Sequence, residues 1–150
     1  MSPNQWGPPI WTLFHCMAEK IKEDKFRDLR PHIFSIIKKI CSNLPCPDCT
    51  MHATNFISKV NFSYIVTKDD FRKFLYIFHN VVNRRKKKPL FNVLNLEKYS
   101  KINLIEAFNN FVNVYHTNGN MKLLADSFQR KILVKDLKNW FMTNYTNFDN

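Results

Sequence analysis

Leu44-Pro45-Cys46-Pro47-Asp48-Cys49-Thr50-Met51-His52 closes one apolar helical stripe, opens the next, and carries two cysteines with two residues between them. Pro45 and Pro47 bracket Cys46, and proline is accommodated in a first turn. A helix is therefore predicted to begin at Cys46 or Pro47 and to run through Phe56 and Val60. Both sulfurs then lie in that turn, where free N–H groups and the positive end of the helix dipole favour a thiolate. CxxC thiols in such settings have pKa values of roughly 3.5–7.5. Redox chemistry is one reading. A zinc site built from Cys46, Cys49 and His52 is another, but it needs a fourth ligand, and no second CxxC or His-x-x-x-His follows. Two inert buried cysteines are the third. A thioredoxin-like fold would need βαβ alternation that the chain lacks.

Working outward from the cysteines, the pattern is helical everywhere. Ile10, Leu13, Phe14, Met17 and Ile21 recur at three and four residues after Pro8-Pro9, predicting a helix of about 9–23. Leu29, Ile33, Ile36, Ile37, Ile40 and Leu44 predict a second, from near Asp28 to Pro45. Cys49, Ala53, Phe56, Ile57 and Val60 form the inner face of the third. After a connection through Asn61–Val66, Thr67 is an N-cap with Asp70 three residues on, and Phe71, Phe74, Leu75, Phe78 and Val82 continue to about Lys87. Pro89 stops this fourth helix. The fold class expected is all-α: a four-helix bundle with a C-terminal helical extension. In the fourth helix His79 and Asn83 share one side, flanked by Asn80. Polar groups beside an apolar stripe need partners, and satisfied core residues or ligand contacts both answer that need, as for His15 beside Trp11.

Composition limits the functions available. A chain of 150 residues with 45% hydrophobic and 15% aromatic content suits one folded domain. Gly7 and Gly119 are its only glycines, which excludes a G-x-G-x-x-G dinucleotide loop and a Walker loop. No apolar run approaches the roughly 20 residues of a bilayer span, and the start lacks the charged and apolar regions of a signal peptide. The expectation is a cytoplasmic protein without membrane contact, where CxxC is more often catalytic than structural. The net charge of +11, with Arg84-Arg85-Lys86-Lys87-Lys88 as its densest run, admits nucleic acid, but cations also suit a helix C-terminus and no recognised nucleic-acid motif is present.

Three motifs in order carry a resemblance. Trp6-Gly7-Pro8-Pro9-Ile10-Trp11-Thr12-Leu13-Phe14-His15, then Leu44 to His52, then His79-Asn80-Val81-Val82-Asn83 with Lys86 to Lys88 behind, resemble the Erv/ALR family of FAD-linked sulfhydryl oxidases over residues 6–89. The resemblance implies a helical FAD domain at 1–89 that oxidises protein dithiols to disulfides and passes electrons to O2, giving H2O2. It implies Cys49 as the sulfur beside the flavin and Cys46 as the outer sulfur that substrate attacks. It also implies that Trp6, Gly7, Trp11 and His15 line the cofactor, that His79, Asn80 and Asn83 hold its adenosine part, and that Lys88 meets phosphate. No resident metal is expected. A protein dithiol or a thioredoxin-like carrier is the partner implied, and a homodimer the assembly.

Leu44 stands where cellular members usually carry an aromatic, and Phe74 where they usually carry Trp. No cysteine follows Cys49, so the usual disulfide to the C-terminal segment and the usual shuttle dithiol are both missing. Cys16 and Cys41 are read as buried thiols, with a redox pair as the alternative. Residues 90–150 are expected to add two helices for docking or dimerisation. Their stripes are Leu104, Ile105, Phe108, Phe111, Val112 and Tyr115, then Met121, Leu124, Phe128, Ile132, Leu137, Trp140 and Phe141, with a break at Asn118-Gly119-Asn120. The short form and lone CxxC are similar to oxidases of large cytoplasmic DNA viruses. Such a protein would act in infected cytoplasm or in the virion.

Overall fold

The computed structural model describes residues 3–115 and 124–149, and its regular structure there is all-α. Six α-helices run α1 Pro3–Lys20, α2 Glu23–Cys41, α3 Pro47–Ser58, α4 Lys68–Arg85, α5 Leu104–Tyr115 and α6 Leu124–Asn144. Short 3-10 stretches occupy Phe62–Tyr64, Val93–Lys101 and Tyr145–Asn147.

The stripe Ile10, Leu13, Phe14, Met17 is the buried face of α1, as periodicity requires. The helix starts six residues before the predicted position and keeps Pro8 and Pro9 inside it. The donors missing at those prolines would have served carbonyls of the first turns only, so the helix survives. It stops at Lys20 because the chain's far end pairs with the junction that follows. Asp149 N–H donates to Lys20 O at 2.6 Å, Lys22 N–H donates to Asn147 O at 2.9 Å, and Ile21 bridges Phe148. No local signal could have shown that.

Helix α2 also begins early, at Glu23, with Glu23 and Asp24 in its first turn on the favourable side of the dipole. Phe26 anchors this added turn. It is fully buried and stacks on Phe71 of α4 at 5.2 Å, and burying such a ring contributes about 1.5–3 kcal/mol. Pro31 lies mid-helix on the exposed side. The helix ends at Cys41 instead of reaching Pro45, leaving residues 42–46 to turn the chain into α3. Helix α4 matches its reading: Thr67 caps it and Asp70 closes the capping box.

Helix α1 is the central pillar, packed by α4, by α5 and by the Val93–Lys101 stretch, while α2 packs on α3 and α6. The C-terminal helices are thus docked on the chain's own core, with Tyr115 Oη donating to Ile40 O at 3.1 Å. The predicted face of α6 holds in part: Leu137 and Phe141 are buried as expected and Trp140 packs against the core. Phe128 and Ile132 are exposed, and Arg130, Leu133 and Val134 are buried. Apolar residues are spread around this helix, so spacing alone selects no single face, and contact with the core decides. On α5 Ile105 faces outward, beside the buried face of Leu104, Ala107, Phe108, Phe111 and Tyr115. Met121 and the Asn118-Gly119-Asn120 break lie outside the described residues.

Candidate active site

Cys46 is the N-cap of α3, with extended backbone at φ −143° and ψ 112°, and its sulfur accepts the Cys49 N–H at 3.2 Å. Pro47 follows at the first helical position, where its fixed φ suits the helix and its missing donor costs nothing. Thr50 secures the approach to this turn by accepting the Leu44 N–H at 3.1 Å. Cys46 remains half-buried, whereas Cys49 is buried at 8% exposure. The dithiol therefore has an outer and an inner sulfur.

The inner sulfur opens onto a cavity of about 280 Å³ between α1, α3 and α4. Trp6, Trp11, Phe14, Phe56 and Phe78 give it flat apolar walls, and Phe56 stacks on Phe78 at 4.7 Å. Cys41, Arg85 and Lys86 also face it. A second cavity of about 520 Å³ abuts the first across Gly7, Trp11, Val82 and Lys86, and its character is cationic. Lys86, Lys88 and Lys98 line it together with His79, Asn83 and Tyr99.

The end of α4 shapes that cationic wall. Lys87 takes the left-handed conformation at φ 57°, Lys88 N–H donates to Asn83 O at 2.8 Å, and Lys87 N–H to Arg84 O at 3.1 Å. This is a Schellman close with lysine at the position where glycine is usual. Asn80 then fixes the return of the chain: its amide donates to Phe91 O at 3.0 Å and its carbonyl accepts the Phe91 N–H at 2.6 Å. That clamp lays the Val93–Lys101 stretch along α1, which brings Lys98 and Tyr99 to the cavity.

Behind the wall His15 Nε2 and His79 Nδ1 share a hydrogen bond of 2.9 Å. His79 stacks on Trp11 at 4.2 Å with planes 7° apart, and His15 stacks on Tyr99 at 4.7 Å. Burial, then the neighbouring His79 and Lys98, hold His15 down to about 3; burial, then Lys98 and Lys88, hold His79 down to about 4. Both rings are neutral at physiological pH.

Trp6, Gly7, Trp11, Cys49, His79, Asn83 and Lys88 thus come together around two adjoining cavities, and Cys46 flanks them. His15 and Asn80 do not line either cavity: the first supports His79, and the second clamps Phe91. Lys98 and Tyr99 were missed by the sequence reading because they lie beyond Pro89. Arg85 and Lys86 were hidden within a basic run that reads as a solvated helix end. The thiol expectation is corrected at Cys49. Burial, then the hydrogen bond and charge of Cys46, push this thiol up to about 11, against Lys86 and Arg85, which pull it down. Burial removes the solvent that a thiolate needs. Cys16 and Cys41 are buried free thiols, pushed by burial up to about 11 and about 12. Among the described residues no three of His, Cys, Asp and Glu are gathered so as to hold a metal, so Cys46, Cys49 and His52 do not form such a group.

An all-helical core with a CxxC at a helix start, opening onto an aromatic cavity backed by lysines, defines a class of thiol-redox protein. The chain belongs to the Erv1 / Alr family, whose sequence model matches residues 8–103. A protein of Invertebrate iridescent virus 6 is 33% identical over 96 residues, covering 60% of this chain and 86% of its own length. One of African swine fever virus is 26% identical over 114 residues, covering 69% and 95%, and one of Vaccinia virus 27% identical over 94 residues, covering 62% and 92%. All three bear the name FAD-linked sulfhydryl oxidase. No solved structure matches the chain.

Proposed function

We propose that this protein is an FAD-linked sulfhydryl oxidase that makes disulfides in protein dithiols through Cys46 and Cys49. The observation that carries the reading is the inner sulfur of a CxxC facing an aromatic cavity that adjoins a lysine-lined one. The two cavities together fall within the roughly 300–1,000 Å³ of small-molecule sites. Their walls suit a flavin dinucleotide. Flat indole and phenyl surfaces match a fused ring, and three lysines offset a pyrophosphate. A Cβ added at Gly7 would meet nothing within 4 Å, so that wall is open to a close-lying ligand. The buried Trp6 Nε1 has no hydrogen-bond partner among the described residues, and a bound acceptor would satisfy it.

Trp6, Gly7, Trp11 and Phe78 would hold the ring beside Cys49, and His79, Asn83, Lys86, Lys88 and Lys98 the adenosine and phosphates. FAD supplies a two-electron acceptor that hands the pair to O2 and releases H2O2. The chain's own chemistry is thiol–disulfide exchange. A substrate thiolate bonds to the accessible Cys46 sulfur, the Cys46–Cys49 bond breaks, and its electron pair leaves with Cys49. A second substrate thiol then displaces Cys46, completing the substrate disulfide and leaving a dithiol to be reoxidised. The half-buried Cys46 admits a protein dithiol directly or a small carrier with its own.

Cys49→Ser tests the reading. Oxygen consumption with a dithiol substrate is expected to vanish while helical content and melting temperature stay near those of the parent. Retained thiol oxidation in this variant, or a chain that takes up no FAD, would overturn it.

A further inference from the structure

Asp48 occupies one of the two positions between the cysteines, and its carboxylate is shared. One oxygen lies 3.5 Å from His52 Nε2 a turn further along α3, the other 3.5 Å from Arg85 Nη1 at the end of α4. Arg85 also faces the cavity that Cys49 opens onto. Arg85 thus pairs with the Asp48 carboxylate and lines the same cavity as a sulfur that carries charge once exchange has released it. The other charged or titratable groups facing that cavity are His52 on α3 and Lys59 just past its end, Cys41 on α2, and Lys86 just past the end of α4, while α1 contributes only uncharged walls.

We propose that Arg85 is a positioning residue for the exchange step: held at the cavity mouth by Asp48, it stabilises Cys49 as thiolate, and Asp48 sets how much of its charge is available. This rests on the assignment of Cys49 as the inner sulfur. The exchange leaves an electron pair and no proton on Cys49, so a nearby cation lowers the cost of the step. Burial works the other way, and Lys86 and Arg85 are the groups that oppose it. Asp48 is both a competitor for the guanidinium and a negative charge beside the dithiol. The pair is therefore antagonistic in its effect on sulfur although cooperative in linking α3 to α4.

The two ends of the bridge predict opposite outcomes, which a merely structural bridge does not. In the full chain carrying Cys46→Ser, alkylation of Cys49 by iodoacetamide is followed against pH by peptide mass spectrometry, so that Cys16 and Cys41 are counted separately. Arg85→Gln is expected to raise the midpoint by about 0.5–1 pH unit, less than the 1–3 units of a direct ion pair because the guanidinium is part exposed and shared with Asp48. Asp48→Asn is expected to lower it, and Arg85→Lys to leave it near the parent. Movement of Arg85→Gln and Asp48→Asn in the same direction, or an unmoved midpoint in the soundly folded Asp48→Asn, overturns the proposal. The oxidase reading fails by other signs, absence of FAD or turnover without Cys49, and neither affects the alkylation result.

Discussion

Acid should destabilise this protein well above the carboxylate range, because two histidines are held neutral by the fold. His15 and His79 have folded pKa values of about 3 and about 4 against an ordinary 6.5. A depressed pKa means that the unfolded chain binds more protons below 6.5. Their contribution is therefore fully present above 6.5 and is lost as pH falls toward 4. Each histidine that takes its proton only on unfolding removes about 2 kcal/mol of stability between about pH 7.5 and about pH 5. The two together remove about 4 kcal/mol, a large part of the roughly 5–15 kcal/mol that a domain has. Urea unfolding followed by circular dichroism across this range reads the slope directly. His79→Gln keeps an amide beside His15 but removes one titration, so the slope should fall by about half. Stability that stays level between pH 7.5 and 5 in the parent would refute the reasoning, since it would mean that the pair accepts a proton without leaving its place.

Lys87→Gly relieves a left-handed residue that costs about 1–2 kcal/mol, less the about 0.4–1 kcal/mol by which glycine favours the unfolded chain. A melting temperature raised by a few degrees in differential scanning calorimetry is the expected result. Asn80→Ala removes both hydrogen bonds to Phe91, leaving a peptide group part-buried and unmatched at about 1–3 kcal/mol. It should also weaken FAD binding by displacing Lys98 and Tyr99, as isothermal titration would show. Trp6→Phe deletes a buried donor without a protein partner, so it should leave the FAD-free chain no less stable in urea while weakening its affinity for FAD. A loss of stability without FAD would show that the indole N–H is satisfied by the protein alone.

The local signals in this chain were strong where one residue type decides. Thr67 with Asp70 marked the start of α4 and Pro47 that of α3, while α4 ends at Arg85, two residues short of the predicted Lys87 and ahead of Pro89. They failed where a distant segment decides. Lys20 ends α1 because Asn147 and Asp149 arrive there, and Phe26 starts α2 because Phe71 lies against it. The site divides in the same way. Cys46, Cys49, Trp11 and His79 stand out as motifs, whereas Lys98 and Tyr99 are reached only after the chain turns back under the Asn80 clamp. His15 was assigned to the cofactor by pattern, and the geometry gives it to His79.

The thiol was misjudged for a reason that bears on the chemistry. A helix start argues for an easily formed thiolate at both cysteines, but the two differ in solvent access, and burial outweighs the dipole at Cys49. A sulfur that is costly to ionise is protected from alkylation, metals and stray oxidants while the protein waits. On the proposed mechanism it takes on charge only during exchange, when the electron pair of a broken disulfide has no other place to go. On the same proposal, the cations at the end of α4 act at that moment. The same basic run that looks like a nucleic-acid patch along the sequence is divided in space: Arg85 and Lys86 reach the aromatic cavity, and Lys86 and Lys88 the cationic one. A chain with two glycines can hold a dinucleotide on these terms, because rings and lysine heads replace the close backbone approach that a glycine-rich loop provides.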